Sequence, residues 1–290
     1  MDHPFELVCD AGALLGEGPV WDAERNVLWF TDIQGRKLHR YDPISGTLDG
    51  EDMQEEIGCF ALTKAGDVVA AMRTGVFDLK SGARLAVNPE NTDISRFNDG
   101  TTDPMGRFLF GTVDPSKQSG AALYRYDSQG LAQLVDGLQT SNGLAFSPDG
   151  KTLYHSDTPR FVVYAYDYDV DRGTVANQRE FVRLTPTETD QGRPDGAAVD
   201  AEGCYWTALY QGARVHRYSP KGELLSVHPV RTKSPTMPCF GGPDLSTLYL
   251  TSARDGCSVD DLQKYPHSGG IFALDVEVPG LAKSRFDPGV

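Results

Sequence analysis

Residues 147–158 read SPDGKTLYHSDT, a polar turn followed by alternating apolar and polar residues, and this pattern recurs along the chain. The other copies are WDAERNVLWFTDI from Trp21, TKAGDVVAAMRT from Thr63, DPMGRFLFGTVD from Asp103, DAEGCYWTALY from Asp200 and GPDLSTLYLTSA from Gly242. Successive copies start 42, 40, 44, 53 and 42 residues apart. A period of about 40 to 50 residues built from short strands is typical of a propeller blade, so six units predict six blades.

A second strand-like run follows most copies, as in ALYRYDSQG (122–130) and RVHRYSPKG (214–222), and no stretch has helical periodicity. The sequence therefore predicts an all-β fold, a six-bladed β-propeller, with residues 1–290 forming one domain. One blade cannot bury its own faces, so we expect the blades to close around a central channel. Closure is expected to add residues 5–9 as a strand to the last blade, and the long spacing predicts an extended loop within 183–196 at one mouth.

Composition narrows the function classes. The 290 residues are 39% hydrophobic and 23% charged, as in ordinary soluble globular proteins. The net charge of -14 argues against nucleic acid and anionic membranes as partners, because both would repel such a surface. It says nothing specific about self-association, and we expect a monomer or a weak homo-oligomer.

Cysteine usage and the first residues indicate a compartment. Five cysteines are spread along the chain without a C-x-x-C pair, so we interpret them as buried thiols rather than disulfides or a zinc site. The start, MDHPFELVCD, is acidic where a signal peptide needs a basic segment and an apolar run. No run of about 18 apolar residues occurs. These features predict a cytoplasmic protein.

Polar residues recur at one phase of the repeat, five positions before each turn. The residues at this phase, in blade order, are Glu17, Gly58, Asn98, Asn142, Asp195 and Met237. In a propeller the innermost strand of each blade lines the channel, so four oxygen-bearing side chains are expected to converge near one mouth. Converging carboxylates repel each other unless a cation lies among them or they keep their protons.

This donor set predicts one divalent metal ion, held by Glu17, Asn142 and Asp195. Carboxylate and amide oxygens suit Ca²⁺, Mg²⁺ or Mn²⁺, and Zn²⁺ or Fe²⁺ with added waters stays open. The alternative is that Asn, Asp and Glu beside glycine are turn residues. Arg96 lies two residues before Asn98 and so points to the same face, where it would bind a substrate or pair with a rim carboxylate such as Asp99.

Other motifs are weaker. DYDVDRG at 167–173 resembles the start of a calcium-binding loop, but the glycine is one place late and the twelfth position lacks Glu, so we interpret it as a charged hairpin turn. No phosphate-binding loop, G-x-S-x-G or H-E-x-x-H motif occurs. The histidines form no ligand-spaced pair and are expected at the surface or in packing: His3, His39, His155, His216, His228 and His267.

Together, LGEGPVWD, RFNDGTTDPMGR, SNGLAFSPDGKTLY, PDGAAVDAEGCYW and CFGGPD resemble the regucalcin and gluconolactonase family along nearly the whole chain. The resemblance implies a six-bladed propeller that holds a divalent metal through Glu17, Asn142 and Asp195. It also implies substrate contacts from Arg96, Asn98 and Asp99. The segment GTVDPSKQSG is short where some members carry a longer lid, so the choice of sugar does not transfer.

The implied activity is metal-dependent hydrolysis of a sugar-acid lactone, an aldono- or aldarolactone, with Asp195 as the general base for the attacking water. Three alternatives stay open. One is a calcium-binding regulatory protein without turnover, and another is a promiscuous organophosphate or aryl-ester hydrolase. The third is a protein-interaction platform, against which the converging polar residues argue.

Overall fold

Six four-stranded antiparallel sheets make up the computed structural model, which describes residues 5–290. The prediction for His3 lies outside the described residues. The first three blades contain β2–β5 (Gly16–Asp22, Val27–Asp32, Lys37–Asp42, Thr47–Asp52), β6–β9 (Ile57–Leu62, Val68–Met72, Gly75–Asp78, Ala83–Val87) and β10–β13 (Arg96–Thr102, Phe108–Val113, Ala121–Asp127, Gly130–Leu138). The six-bladed propeller predicted from the repeat is confirmed.

The fourth and fifth blades contain β14–β17 (Ser141–Phe146, Thr152–Asp157, Val162–Asp169, Thr174–Arg183) and β18–β21 (Arg193–Val199, Tyr205–Tyr210, Arg214–Tyr218, Leu224–Pro229). The sixth contains β22–β24 (Ser234–Gly241, Thr247–Ala253, Ile271–Asp275), and β1 (Glu6–Cys9) pairs with β24 as its outermost strand. Closure by residues 5–9 is therefore confirmed. The sheet thus joins the two ends of the described chain.

The first strand of every blade lies at the centre. These strands, β2, β6, β10, β14, β18 and β22, each contact the next one around a closed ring. Burial falls from the centre outward: every residue of β6 (IGCFAL) is buried, whereas β5 (TLDGED) is almost wholly exposed. The core lies between neighbouring blades, as where Ala61 and Val69 of the second blade pack with Phe97 and Phe108 of the third.

Turn residues explain the repeat seen in the sequence. Asp103 and Asp200 each accept two backbone N–H groups from the turn that follows them, as an Asx turn requires. Because this turn joins the first two strands of a blade, it fixes the register of the inner hairpin. The segment 167–173 is a hairpin turn between β16 and β17, as predicted. Residues 184–192 form the expected long loop.

Two features depart from the sequence prediction. A short helix, α1 (Val259–Lys264), interrupts the β23–β24 connection, and Ser258 and Asp261 cap its start reciprocally. The S-x-x-D pattern of a capping box signals this helix, but six residues are too few to show a helical period. Residues 276–290 cross one mouth of the channel, with a bridge from Gly280 to Asp200 and another from Phe286 to Thr63.

The cysteines and histidines were predicted in part correctly. Cys59, Cys204 and Cys239 are buried thiols, whereas Cys9 and Cys257 are only half-buried because they lie on an edge strand and in a loop. All five are free. The five described histidines lie at the surface or in packing, as expected. Among residues 5–290 no helix is long and apolar enough to span a membrane.

Candidate metal and active site

A β-bulge occurs at the same phase of every inner strand. The register against the second strand shifts between Glu17 and Val20, Ile57 and Cys59, Phe97 and Gly100, Asn142 and Ala145, Pro194 and Ala197, and Pro235 and Pro238. Each shift begins at, or spans, the position five residues before the turn. A bulge re-aims the side chain that it contains. The repeat therefore turns the polar residues of this phase toward the channel.

Glycine makes two of these bulges possible. Gly18 and Gly143, which follow Glu17 and Asn142, have φ of +54° and +60°, a region that favours glycine. A Cβ on Gly143 would meet the Ser156 hydroxyl oxygen at 2.2 Å and the Tyr205 hydroxyl oxygen at 2.5 Å. The G-E-G and S-N-G motifs are thus backbone requirements of the bulge as well as sources of ligands.

Asn142 is held in one amide orientation. The Thr158 hydroxyl donates to the Pro194 carbonyl oxygen at 2.7 Å, so its oxygen accepts from Asn142 Nδ2 at 2.9 Å. The same Nδ2 donates to Asp195 Oδ1 at 2.6 Å. Because the nitrogen is fixed on that side, Asn142 Oδ1 faces the other way, toward Asn98. Three adjacent blades are thereby linked through one buried side chain.

Glu17 and Asp195 are buried carboxyl groups, each 5% exposed. Burial and the neighbouring charges of Asp195 and Asp99 raise the pKa of Glu17 well above its usual range. The pKa of Asp195 is also well above its usual range, because of burial and the charge of Asp99. Within the described residues neither carboxylate has a cationic side chain within 4.0 Å. The more distant charge of Arg96 lowers the pKa of both groups, and that of Arg193 lowers the pKa of Asp195, but burial and the neighbouring carboxylates outweigh them.

Asn98 and Arg96 meet at the mouth of the channel. Arg96 Nη1 donates to Asn98 Oδ1 at 2.7 Å and to the Phe97 carbonyl oxygen at 2.9 Å. Asn98 Nδ2 donates to Asn142 Oδ1 at 2.5 Å. The Asn98 side chain reaches this layer, with its oxygen on Arg96 and its nitrogen on Asn142, and a substrate contact from it stays a prediction. Strand alternation places Arg96 and Asn98 on one face, as predicted.

Asp99 lies behind this layer. Its Oδ1 accepts from Gly100 N at 2.7 Å and its Oδ2 from Leu144 N at 3.0 Å, and the residue is buried. Burial raises the pKa of Asp99 to about 6 despite these hydrogen bonds. A contact between Asp99 and a substrate stays a prediction, since both oxygens are bound to backbone and favour a supporting position.

The donor chemistry fits a hard divalent ion. Among residues 5–290 no three His, Cys, Asp or Glu side chains are grouped closely enough to hold a metal, so a site here requires an amide oxygen. Asn142 Oδ1, Glu17 and Asp195 offer such a set, and an ion would remove the repulsion that raises both carboxyl pKa values. The fit therefore rests on two unpaired buried carboxylates and one oriented amide.

Sequence reasoning missed Arg193, which starts β18 two residues before Asp195 just as Arg96 starts β10 two residues before Asn98. Its guanidinium lies over the Tyr210 ring, 5.5 Å from the centroid, and Nη2 donates to Gln211 Oε1 at 2.7 Å. Its Nε is buried without a partner in the described part of the chain. The shared repeat phase would have identified it.

A cavity of about 520 Å³ opens at the opposite mouth, at the far end of the inner strands. Aromatic and small residues line it, including Trp21, Phe60 and Phe240, together with Lys283 of the crossing segment. Glu17, Asn142 and Asp195 do not border it. We place the chemistry at the polar mouth, because the buried carboxyl groups without a cationic partner in the described residues converge there and not around this cavity.

Comparison with known proteins agrees with this geometry. Residues 15–254 match the family described as SMP-30/Gluconolactonase/LRE-like region. A 6-deoxy-6-sulfogluconolactonase of Pseudomonas putida is 45% identical over 99% of both chains. A pentonolactonase of Haloferax volcanii is 35% identical over 97% of both chains. The crystal structure of a calcium-binding regucalcin from Agrobacterium tumefaciens superposes with a TM-score of 0.91 at 27% identity, covering 99% of this chain and 98% of that one.

Proposed function

The chain belongs to the SMP-30/gluconolactonase/LRE-like family, and we propose that it is a metal-dependent lactonase that hydrolyses a sugar-acid lactone to the open acid. Relatives named for gluconolactone and pentonolactone hydrolysis span almost its whole length. The observation that carries the proposal is the convergence of Glu17, Asp195 and the oriented amide of Asn142, buried without a cationic partner in residues 5–290. Such a cluster is costly for a scaffold and useful for a metal enzyme.

Glu17, Asn142 and Asp195 would hold one divalent ion, and Ca²⁺ is the first candidate because a structural relative is described as calcium-binding. Zn²⁺, Mg²⁺, Mn²⁺ and Fe²⁺ are the others. The bound ion supplies a Lewis acid for the lactone carbonyl. Thr158 supports the site by fixing the Asn142 amide.

Asp195 is the general base in this proposal. Its Oδ1 accepts from Asn142, whereas no hydrogen bond from residues 5–290 reaches Oδ2. Oδ2 can therefore take a proton from the water whose oxygen attacks the lactone carbonyl carbon. When the ring C–O bond breaks, the ring oxygen leaves as an alcohol and takes up a proton, so one water is consumed for each open acid formed.

Arg96, Asn98 and Asp99 form the substrate-binding part of the proposal. The Arg96 guanidinium is half-buried at the mouth and has no carboxylate within 4.0 Å in the described residues, so its remaining N–H groups can bind substrate oxygens. Asn98 Nδ2 donates to the Ser141 carbonyl oxygen and to Asn142 Oδ1, and its Oδ1 accepts from Arg96, so Asn98 would act by holding Arg96 in place. Asp99 fixes the inner strands of two neighbouring blades through Gly100 and Leu144, which holds this layer in place.

Domain organisation, cellular location and assembly are proposed from single observations. One domain over 1–290 is supported by the pairing of β1 with β24. A cytoplasmic location is supported by the five free thiols, which suit a reducing compartment. We also propose a monomer or weak homo-oligomer that binds neither nucleic acid nor membranes, in keeping with a net charge of -14.

The test is a pH-indicator assay of metal-stripped protein, repleted separately with Ca²⁺, Mg²⁺, Mn²⁺, Zn²⁺ or Fe²⁺. The substrates are aldono- and aldarolactones, with an aryl ester and an organophosphate for comparison, and each spontaneous rate is subtracted. We expect one lactone class to be hydrolysed only after repletion. Metal binding without acceleration of any lactone would instead support the calcium-binding alternative, which the description of the structural relative favours.

A further inference from the structure

Two arginines at the polar mouth differ from the other arginines of the described chain in their charge partners. Among the described arginines that are not exposed, only Arg96 and Arg193 lack a carboxylate within 4.0 Å. The four other unpaired arginines, Arg36, Arg84, Arg231 and Arg254, are exposed. Acidic residues outnumber basic ones by 41 to 27, so carboxylate partners are abundant. A half-buried guanidinium without one is costly unless a ligand supplies the charge.

The two arginines occupy equivalent positions on either side of the fourth blade. Each is the first residue of an innermost strand and precedes a residue of the candidate site by two positions. Both guanidinium charges act on Asp195, where they counter the rise in its pKa. Because both innermost strands start at the polar mouth, both arginines lie at that mouth.

Arg193 is held ready by contacts that do not neutralise it. The Tyr210 ring supports the plane of the guanidinium, and Gln211 accepts one N–H. The Nε atom is buried without a partner in residues 5–290, and Nη1 makes no hydrogen bond there. An unsatisfied donor of this kind requires an explanation outside the described side chains. A rigid fork with free N–H groups matches the paired oxygens of a carboxylate, sulfonate or phosphate.

The sum of the charges at the polar mouth also favours an anionic ligand there. A divalent ion would balance Glu17 and Asp195, and the cation that acts on the Asp99 carboxylate is Lys283. The positive charges of Arg96 and Arg193 are then left without a carboxylate partner in the described residues. A neutral sugar hydroxyl would accept a hydrogen bond there but would leave the charge unpaired, whereas an anionic group satisfies both.

We infer that Arg193, with Arg96, forms an anion subsite, so that the preferred substrate is a sugar lactone bearing a second, negatively charged group away from the ring ester. This rests on the proposed lactonase function and narrows its substrate class. Arg193 is a specificity residue and takes no part in the bond-breaking step. The lactone ester lies over Asp195 while the charged substituent lies against Arg193.

The test compares three 1,5-lactones that differ at C6: glucono-1,5-lactone with a hydroxyl, glucaro-1,5-lactone with a carboxylate, and 6-deoxy-6-sulfoglucono-1,5-lactone with a sulfonate. Wild type, Arg193→Gln, Arg193→Lys and the control Arg84→Gln, an exposed unpaired arginine on β9, are assayed with the metal that restores activity. We expect wild type to prefer an anionic lactone. Arg193→Gln should lose about 10- to 100-fold in kcat/KM for it, through KM, and Arg193→Lys less. Arg193→Gln should lower kcat/KM for glucono-1,5-lactone about 10-fold less than for the anionic lactone, because any effect of the lost charge on Asp195 is common to both substrates and only the anionic lactone also loses an ionic partner.

Calorimetric titration with the open acids separates this inference from the proposed function. Glucarate should bind wild type more tightly than gluconate does, and Arg193→Gln should remove the difference. If no lactone is hydrolysed but the preference for glucarate still depends on Arg193, the lactonase proposal fails and the subsite stands. If wild type treats all three lactones alike and Arg193→Gln changes neither rates nor binding, the subsite is refuted and the lactonase proposal stands. Relative rates with glucaro- and sulfoglucono-lactone identify the anion.

Discussion

The two mouths of the channel are built from the same six strands but differ in what they bury. At one mouth, Glu17, Asn142 and Asp195 place charged and polar groups together without ion pairs in the described residues. At the other, the crossing segment 276–290 covers a largely apolar cavity, and two of its charged residues form ion pairs, Arg285 with Asp22 and Asp287 with Lys64. Satisfied contacts stabilise a fold, whereas unsatisfied buried charge is retained for a ligand. The comparison separates a reactive end from a structural end.

The largest expected effect is at the reactive end. Asp195→Asn keeps the shape of the side chain but removes the base and a ligand charge, so kcat/KM should fall by about 10³-fold or more. The fold should persist, because an amide in place of a buried unpaired carboxylate removes a desolvated charge. The measurement is the lactonase assay, with circular dichroism to verify folding.

Asp149→Asn is the matched control, the same substitution in a turn bordering the opposite cavity. Asp149 accepts from the Ser147 hydroxyl and Lys151 N, so only a local turn is weakened. Its kcat/KM should stay within about twofold of wild type, since a surface substitution away from the site costs little. Near-normal turnover by Asp195→Asn would refute the general-base assignment. Equal losses of kcat/KM in Asp195→Asn and Asp149→Asn would show that the two mouths do not differ in their importance for activity.

The second effect is at the structural end. Phe286 is 1% exposed and packs against Phe108 and Tyr126, while its N–H donates to the Leu62 carbonyl oxygen at 2.8 Å. Phe286→Ala should lower the free energy of unfolding by about 3–5 kcal/mol, the usual cost of a large buried cavity. Thermal unfolding measures this loss, and Phe286→Leu, which keeps most of the volume, should lose much less.

Activity below the unfolding transition completes this comparison. Phe286→Ala should keep kcat/KM within about twofold of wild type, because the residue lies at the end of the channel opposite Asp195. Loss of activity at unchanged thermal stability would show that the crossing segment acts on the reactive mouth and would contradict a purely structural role.

The sequence predicts what repeats and misses what occurs once. The six blades, their closure by Glu6–Cys9 and the phase of Glu17, Asn142 and Asp195 all follow from one period, because each blade repeats the same hairpin and bulge. The crossing segment 276–290 has no counterpart in other blades, so no period reveals it.

The sequence predicts which residues of the site share one position in the repeat. It does not predict which way the atoms of their side chains point. Asn98 shares the phase of Asn142, yet its oxygen binds Arg96 while its nitrogen faces the centre, because hydrogen-bond partners on other blades decide the amide orientation. Arg193 was missed although it has the same relation to Asp195 as Arg96 has to Asn98. Arg193 is of interest because it has no carboxylate partner in the described residues. Only the three-dimensional structure shows which residues surround it.

The smallest effect is a pH dependence confined to the reactive mouth of the metal-free protein. The pKa of Glu17 is higher in the folded state than its ordinary value of 4.5, so the folded state binds more protons than the unfolded chain above about that pH. The stability gained from this group is complete below about pH 4.5 and is lost as pH rises through the folded-state pKa. The free energy of unfolding of stripped wild type should therefore fall, relative to Glu17→Gln, as pH rises above about 4.5.

The difference between the two proteins is the quantity to measure, by thermal unfolding in chelator, because His155 and His216 act in the opposite direction. Burial lowers their pKa values to about 3 and about 4, so their contribution grows as pH rises toward 6.5 and cancels in the difference. We expect stripped wild type to lose stability relative to Glu17→Gln as pH rises, because ionising the buried Glu17 carboxyl costs free energy only in the folded state. Glu188→Gln, in the exposed loop 184–192, controls for net charge.

Saturating metal should reverse the order and make wild type the more stable protein at pH 8, because the ion favours the ionised carboxylate. If the free energies of unfolding of wild type and Glu17→Gln depend on pH in the same way with and without metal, Glu17 does not bind an ion at this mouth. The two mouths of the channel would then not differ in the way that their buried charges predict.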